Sequence, residues 1–172
     1  MSTSNNKKYL PVMIDLTDLK IVIIGAGKAA AEKLHTFSQL KVPLTVIATQ
    51  ISEPFKQFDW ITRIERPYQH GDLKGFNLAY IGINDSVLEK EIAQEAREEK
   101  ILVNFIDKVD LSGFISPSAI IKKNFSLFIS TYGKGPGMAK RIRKTIEENI
   151  DLDGLDLETQ EYIIKRNQKN II

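Results

Sequence analysis

Residues 20–34 constrain the fold more than any other stretch of this chain. Four β-branched residues at 21–24 form an unbroken apolar run, which is typical of a parallel strand buried on both faces. Gly25, Ala26 and Gly27 come next and predict a sharp turn, and the alanine-rich residues after them favour a helix. The sequence therefore predicts a strand, a glycine turn and a helix in immediate succession.

This order of elements is typical of a dinucleotide-binding site. The first N–H groups of the helix and the positive end of its dipole can bind a pyrophosphate, and a side chain at Gly27 would obstruct the ligand. The pattern is G-x-G-x-x-A, with Ala30 at the position that packs the helix against the strand. A tight strand-to-helix turn without a ligand stays as the alternative interpretation. The residues of this turn predicted to contact a cofactor are Gly25, Ala26, Gly27, Lys28 and Ala29.

Further apolar runs alternate with a helical pattern along the chain. Strands are predicted at 44–48, 60–66, 77–83 and 101–106, and a helix at 87–100. This alternation predicts an α/β fold, a Rossmann-type doubly wound parallel sheet, whose ligands bind beyond the carboxyl ends of the strands. The residues predicted at that edge are Ala48, Thr49, Gly82, Ile83 and Asn84 beside the cofactor, together with Asn104 and Asp107.

The two ends of the chain differ from this central pattern. Residues 1–8 are predicted to be a short disordered tail and residues 9–16 a further strand. Beyond Asp107, two strand-like stretches at 114–117 and 126–131 precede a basic helix, too little to bury much surface alone. The predicted organisation is an NAD-binding domain at 1–110, a small α+β dimerisation and substrate domain at 111–150, and a C-terminal helical extension at 151–172.

Composition restricts the classes of function. The net charge is +2, which gives no argument for nucleic acid. The chain has no cysteine, no secretion signal and no apolar run long enough to span a bilayer, which favours a cytoplasmic protein that does not bind membranes. Lysines and arginines concentrate between residues 122 and 144 and indicate a polyanionic small molecule as substrate. An exposed, solvated helix face is the alternative for about half of these charges.

Asp107 is the predicted catalytic residue. It follows the fifth strand at the carboxyl edge, where a carboxylate can accept a proton while a hydride leaves for a nicotinamide. A capping or turn aspartate is the alternative. His70 lies in a turn without an obvious partner and is not predicted to be a catalytic base. No acidic residue stands at Ala48 or Thr49, so the usual ribose ligand that separates NAD from NADP is absent.

Four pieces of sequence, in order, resemble precorrin-2 dehydrogenase, the amino-terminal module of siroheme synthase. They are residues 10–16, residues 25–33, residues 103–107 followed by 114–117, and residues 129–136. The resemblance implies NAD-dependent oxidation of precorrin-2 to sirohydrochlorin by a homodimer, with Asp107 as the essential acid–base residue; some members of the family also insert iron with this aspartate. No metal-binding residue is predicted for this chain. The residues that it places on the substrate side are Asn104, Lys122, Ser130, Thr131 and Lys134.

The chain departs from the family pattern at three positions. Gly135 stands where the family has serine, Lys122 where it has arginine, and Ile83 where it has threonine. An ammonium at Lys122 can still meet a carboxylate, but it lacks the planar fork of a guanidinium. Two other functions stay open: a bifunctional dehydrogenase and sirohydrochlorin ferrochelatase, and a domain that senses a dinucleotide without catalysis.

Overall fold

The computed structural model describes residues 7–169 of the chain. The chain divides into two compact units, Met1–Ile115 and Ser116–Ile172. The first unit holds a parallel sheet with helices and the second a strand pair with two helices.

The first unit is built around five parallel strands in the order β3-β2-β1-β4-β5. The strands are β1 (Ile21–Ile24), β2 (Leu44–Ala48), β3 (Ile61–Glu65), β4 (Leu78–Ile81) and β5 (Leu102–Phe105). The helices are α1 (Lys28–Leu40), α2 (Glu53–Lys56) and α3 (Ser86–Glu98). The predicted Rossmann-type fold class is confirmed, because crossovers on both sides of β1 give the doubly wound order.

Strand β1 is buried on both faces because alternate side chains enter two separate cores. Ile21 and Ile23 pack with the buried face of α1, where Leu34 and Phe37 lie. Val22 and Ile24 pack on the opposite side, against the apolar residues of α3. A strand that serves two cores has no solvent face, which explains its unbroken β-branched sequence.

Two predicted strands do not form. Residues 9–16 are irregular in the structure, and Pro11 among them has no N–H for a ladder. Residues 114–117 are also irregular, and β6 (Ser118–Ile121) begins only after Pro117. The N–H groups of Gly113 and Phe114 donate instead to the carbonyl of Val103, so this segment folds back onto β5.

The connection between β3 and β4 has no helix and is held by a carboxylate of α3. Glu95 is only 2% exposed and accepts hydrogen bonds from the Tyr68 hydroxyl and from the N–H groups of Gly71 and Leu73. Burial and the hydrogen bond to Glu95 raise the pKa of Tyr68. Leu73 is fully buried in the core on the α3 side, so the loop contributes the apolar side chain that a crossover helix would otherwise supply.

The second unit combines a β-hairpin with two helices. β6 pairs antiparallel with β7 (Ser126–Ile129), and α4 (Pro136–Asn149) and α5 (Leu152–Lys169) follow. The start of α5 is tied to the hairpin, because Asp153 accepts from the Lys122 ammonium at 2.7 Å and Asp156 from the Asn124 N–H at 2.8 Å. The hairpin and α5 therefore share polar contacts within one unit.

Replacing Glu95 by alanine is expected to destabilise the first unit. The change leaves the part-buried Tyr68 hydroxyl and the N–H groups of Gly71 and the buried Leu73 without their acceptor, at a cost on the order of 3 kcal/mol. Glu91→Ala, on an exposed position of the same helix, removes the same charge without these contacts and should change stability by less than about 0.5 kcal/mol. Urea unfolding of both variants measures the difference, and equal midpoints would contradict this role of Glu95.

Candidate active site

The glycine turn at the end of β1 lies against the end of β4. Gly25 has a φ of +92°, and a side chain there would collide with the carbonyl group of Gly82, whose carbon lies 2.9 Å from the position of a Cβ. The Gly25 N–H donates to the Ile47 carbonyl at 2.8 Å, and the Gly82 N–H donates to the Ile24 carbonyl at 2.8 Å. Both conformation and space therefore require glycine at position 25.

The N-terminus of α1 is open to a ligand. Gly27 is its N-cap in an extended conformation, with no side-chain hydrogen bond to the cap. The first intrahelical bond runs from the Ala31 N–H to the Gly27 carbonyl, which leaves the earlier N–H groups without helical partners. A Cβ at Gly27 would meet nothing within 4 Å. These residues fit a dinucleotide phosphate, which would approach this backbone directly.

Ala30 explains why the third glycine of the pattern is not needed. Gly82 stands opposite it, and a Cβ on Gly82 would lie 3.1 Å from the Ala30 Cβ. The space that a third glycine on the helix would provide is thus provided by a glycine on the strand side. The helix still packs closely on β4.

The other predicted cofactor residues lie at the same edge of the sheet. Ala48 is buried at the end of β2, and Thr49 beyond it is exposed. Gly82 and Ile83 are half-buried after β4, and Asn84 is exposed. The Asp85 carboxylate caps α3 through the N–H groups of Val87 and Leu88. The structure thus gathers the ends of β1, β2 and β4 at one edge.

Asp107 follows β5 at this same edge. The Ile106 N–H continues the ladder by donating to the Ile81 carbonyl at 2.9 Å. Asp107 then adopts a left-handed conformation with a φ of +67°, which is uncommon for a residue with a side chain. It is exposed, and its carboxylate accepts no hydrogen bond from the residues that the structure describes.

Ser112 and Lys108 fix the backbone of the loop that carries Asp107. The Ser112 hydroxyl, in a residue only 4% exposed, accepts from the Phe105 N–H at 2.8 Å and donates to the Lys108 carbonyl at 2.9 Å. The Lys108 ammonium pairs with Glu89, a buried carboxylate of α3. The backbone on both sides of Asp107 is therefore fixed while its own side chain stays available.

Lys7 holds the far side of this loop. Its ammonium donates to the carbonyls of Val109, Asp110 and Ser112 at 2.8, 2.9 and 2.9 Å. The prediction of a disordered tail over residues 1–8 is wrong at Lys7, and residues 1–6 lie outside the described part of the chain. Nothing in the sequence around Lys7 indicates a contact with residues more than one hundred positions away.

Asn104 is buried on the α1 side of β5. It is paired in register with Tyr80, whose ring contacts Phe114 and Phe37. Its side-chain N–H donates to the Phe114 carbonyl at 2.9 Å, whereas its Oδ1 has no partner among the described residues. Asn104 is 6% exposed, so an unpaired amide oxygen here is costly unless a ligand supplies a donor.

The remaining predicted substrate residues belong to the second unit. Lys122 is engaged with Asp153, and the hydrogen bond to that carboxylate raises the pKa of Lys122. The Ser130 hydroxyl accepts from the Tyr132 N–H at 3.1 Å, and the Thr131 carbonyl accepts from the Lys134 N–H at 3.0 Å. Ser130 and Lys134 are exposed.

Two buried carboxylates of α3 were not singled out from the sequence. Glu89 and Glu95 lie among Ile92, Ala93 and Ala96 on the buried face of the helix. Helical spacing carries this signal, because Glu89 stands three and four residues before Ile92 and Ala93. A carboxylate on the apolar face of a helix indicates a buried polar contact. Here Glu89 contacts the loop after β5, and Glu95 contacts the connection from β3 to β4. His70, not predicted to be a base, lies 3.0 Å from Glu95.

Neither a metal centre nor a membrane span is found in the part of the chain that the structure describes. No group of three or more potential ligands among its His, Cys, Asp and Glu residues could hold a metal ion. None of its described helices has both the length and the apolar character needed to cross a bilayer.

Known proteins resemble this chain in sequence and in fold. A family model described as putative NAD(P)-binding matches residues 12–118. Siroheme synthase of Pseudoalteromonas atlantica is 27% identical over 146 residues, which cover 83% of this chain and 32% of that protein. Siroheme synthase of Vesicomyosocius okutanii is 30% identical over 145 residues, which cover 83% of this chain and 31% of that protein. The chain therefore spans about a third of the length of these relatives.

A solved structure shares the fold. SirC, precorrin-2 dehydrogenase, superposes with a TM-score of 0.67 at 23% identity, covering 88% of this chain and 74% of that chain. The match to the family model shows that this chain belongs to the NAD(P)-binding family. The parallel sheet and the glycine turn are the structural features typical of such proteins. The resemblance to the precorrin-2 dehydrogenase and siroheme synthase amino-terminal module family is confirmed. A nicotinamide dinucleotide is the cofactor that this membership supports.

A pair of glycine variants separates folding from cofactor binding. Gly25→Ala is expected to destabilise the protein by at least about 1–2 kcal/mol, because an alanine at positive φ is strained and its Cβ meets Gly82. Gly27→Ala should fold with nearly unchanged stability, yet bind the dinucleotide about tenfold more weakly, because its methyl group occupies the phosphate approach. Thermal unfolding and a titration with NAD measure the two effects, and unchanged NAD affinity in Gly27→Ala would contradict the assignment.

Proposed function

We propose that this chain catalyses the NAD-dependent dehydrogenation of precorrin-2 to sirohydrochlorin, in the pathway to siroheme or cobalamin. The observation that carries the proposal is the Asp107 carboxylate. It is exposed and unpaired on a braced loop, at the sheet edge that also bears the open N-terminus of α1. Its support from known proteins is the match to siroheme synthases and to the fold of a precorrin-2 dehydrogenase.

The glycine turn would hold the cofactor through backbone groups. The N–H groups that follow Gly27 would bind the pyrophosphate, with Thr49 near the ribose and Gly82, Ile83 and Asn84 near the nicotinamide half. When bound, the nicotinamide supplies an acceptor for a hydride. NAD is proposed over NADP because residues 48–55 contain no lysine or arginine to meet a 2′-phosphate.

Asp107 would take the proton that accompanies the hydride. Dehydrogenation removes a hydride and a proton from neighbouring atoms of the substrate, and a positioned carboxylate can accept that proton as the double bond forms. The braces at Ser112 and Lys108 hold the backbone, so the carboxylate loses little entropy when the substrate arrives. Asn104 would orient the substrate through the amide oxygen that lacks a donor.

The second unit would contribute cations for the carboxylates of the tetrapyrrole. Lys134 is exposed, whereas Lys122 would have to exchange Asp153 for a substrate carboxylate. Ser130 and Thr131 would complete this side. We also propose that residues 111–150 form a homodimer interface, with 151–172 as a helical extension, because Leu127, Phe128 and Met138 expose large apolar side chains.

Asp107→Asn is expected to lower turnover of precorrin-2 by about a hundred- to ten-thousandfold. Asparagine tolerates the left-handed conformation of Asp107 and keeps the shape of the side chain, but it cannot accept the proton. NAD affinity should stay unchanged. Absorbance-monitored formation of sirohydrochlorin measures the effect, with Asp59→Asn at an exposed position as control.

The outcome of that assay also separates the alternative functions. If the wild type binds NAD but never turns over precorrin-2, the non-catalytic sensing domain becomes the better proposal. If the pure protein inserts iron into sirohydrochlorin, the bifunctional dehydrogenase and ferrochelatase is supported. A dehydrogenase with an unaffected Asp107→Asn variant would contradict the acid–base role.

The cofactor preference gives an independent measurement. NAD is expected to bind at least about tenfold more tightly than NADP, because residues 48–55 carry no lysine or arginine and the Lys56 ammonium that follows is already paired with Glu53 at 2.8 Å. Titration of the protein with each dinucleotide decides the matter. Equal affinities would show that the 2′-phosphate is accommodated elsewhere.

A further inference from the structure

Lys33 is a half-buried lysine on α1 without an assigned role in the fold or in the proposed reaction. It lies one helical turn after Ala30, on the side of α1 that faces the sheet. Ala30 packs at Gly82, and the side chain of Ile106 reaches the same point, with its Cδ1 3.3 Å from where a Cβ of Gly82 would lie. The helix near Lys33 therefore lies beside the segment that leads into Asp107.

The charge of Lys33 is not matched by a contact. Its ammonium makes no hydrogen bond and no ion pair with the residues that the structure describes. Burial lowers the pKa of Lys33, while the negative charge of Asp107, and to a smaller extent that of Glu32, opposes this shift. A lysine that is partly removed from water without a bonded partner is unfavourable for the fold. Such a residue is explained if its partner is a ligand.

A second unpaired group lies on the same face of the sheet. The buried Oδ1 of Asn104 has no donor, and its neighbours Tyr80 and Phe114 belong to the core into which α1 packs. An unpaired cation on α1 and an unpaired acceptor on β5 thus lie on the same side of the sheet. Both lie in the unit that carries Asp107. A ligand with a carboxylate and an N–H group would satisfy the two together.

We propose that Lys33 is a substrate-positioning residue, whose ammonium binds one carboxylate of the tetrapyrrole beside Asp107 and Asn104. This inference rests on the proposed function. It assigns a specific role to a residue of the helix that follows the glycine turn, about one and a half turns beyond the phosphate end. In this assignment, the first turn of α1 serves the cofactor and its second turn serves the substrate. Lys33 takes no part in proton transfer, which stays with Asp107.

Binding of sirohydrochlorin, the polycarboxylate product, tests the proposal without turnover. Lys33→Met is expected to weaken binding at least tenfold, equal to about 1.4 kcal/mol, whereas Lys33→Arg should stay within about threefold of the wild type because a guanidinium also pairs with a carboxylate. Lys20→Met is the matched control. Lys20 is exposed at the opposite, amino end of β1, so the variant loses the same charge away from the site.

Two further readouts distinguish a binding role from a structural one. NAD affinity should stay within about twofold in every variant, and the melting temperature of Lys33→Met should not fall, because the change removes a partly buried charge without a bonded partner. Lys33→Gln serves as a second neutral variant if Lys33→Met fails to fold. Under turnover, the KM for precorrin-2 should rise more than kcat falls.

Each other outcome has a definite meaning. If Lys33→Met binds sirohydrochlorin like the wild type, the inference is wrong and the proposed dehydrogenase is unaffected. If the variant loses affinity for both ligands together with its melting temperature, Lys33 supports the fold and the inference is also wrong. If the wild type itself binds no sirohydrochlorin, the proposed function fails and the inference fails with it.

Discussion

The first unit depends on the close approach of three backbones at the carboxyl end of β1. Gly25 touches the carbonyl of Gly82, and Gly82 in turn lies against Ala30 of α1. Each contact requires the absence of a side chain on one partner, so the strand, the turn and the helix can meet only with these small residues. This packing brings the N-terminus of α1 to the sheet edge where β4 and β5 also end. The geometry of the candidate site follows from it.

Helix α3 fixes two loops of the first unit that have few apolar contacts of their own, and it does so through polar contacts. Helix α3 buries two carboxylates, and each holds a loop at a different place: Glu89 binds Lys108 next to Asp107, and Glu95 binds the connection from β3 to β4. Buried carboxylates are costly unless their oxygens accept hydrogen bonds. Donors in the loops bind both carboxylates. These contacts therefore offset the cost of burying the carboxylates and also fix the loops.

The fold could be predicted from the sequence where a local pattern decides the structure. The apolar run at Ile21–Ile24 and the glycine turn after it are sufficient to predict β1 and the start of α1. Neighbouring residues carry both signals, one for burial on both faces and one for a tight turn. Residues 114–117 show the limit. They are apolar enough for a strand, yet Gly113 and Phe114 bond back to Val103, a partner that only the folded chain supplies.

The candidate site shows the same division between local and tertiary information. The position of Asp107 after a predicted strand could be derived from the sequence, but its left-handed backbone and its braces could not. Two of the bracing contacts come from other parts of the chain, Glu89 of α3 and Lys7 near the amino end. The third comes from Ser112 within the same loop, and no local pattern indicates its hydrogen bonds to Phe105 and Lys108. Nearly every polar group around Asp107 is thereby satisfied within the protein. The groups without a partner among the described residues are the Asp107 carboxylate, the Asn104 oxygen and the Lys33 ammonium, and a substrate could still bind these.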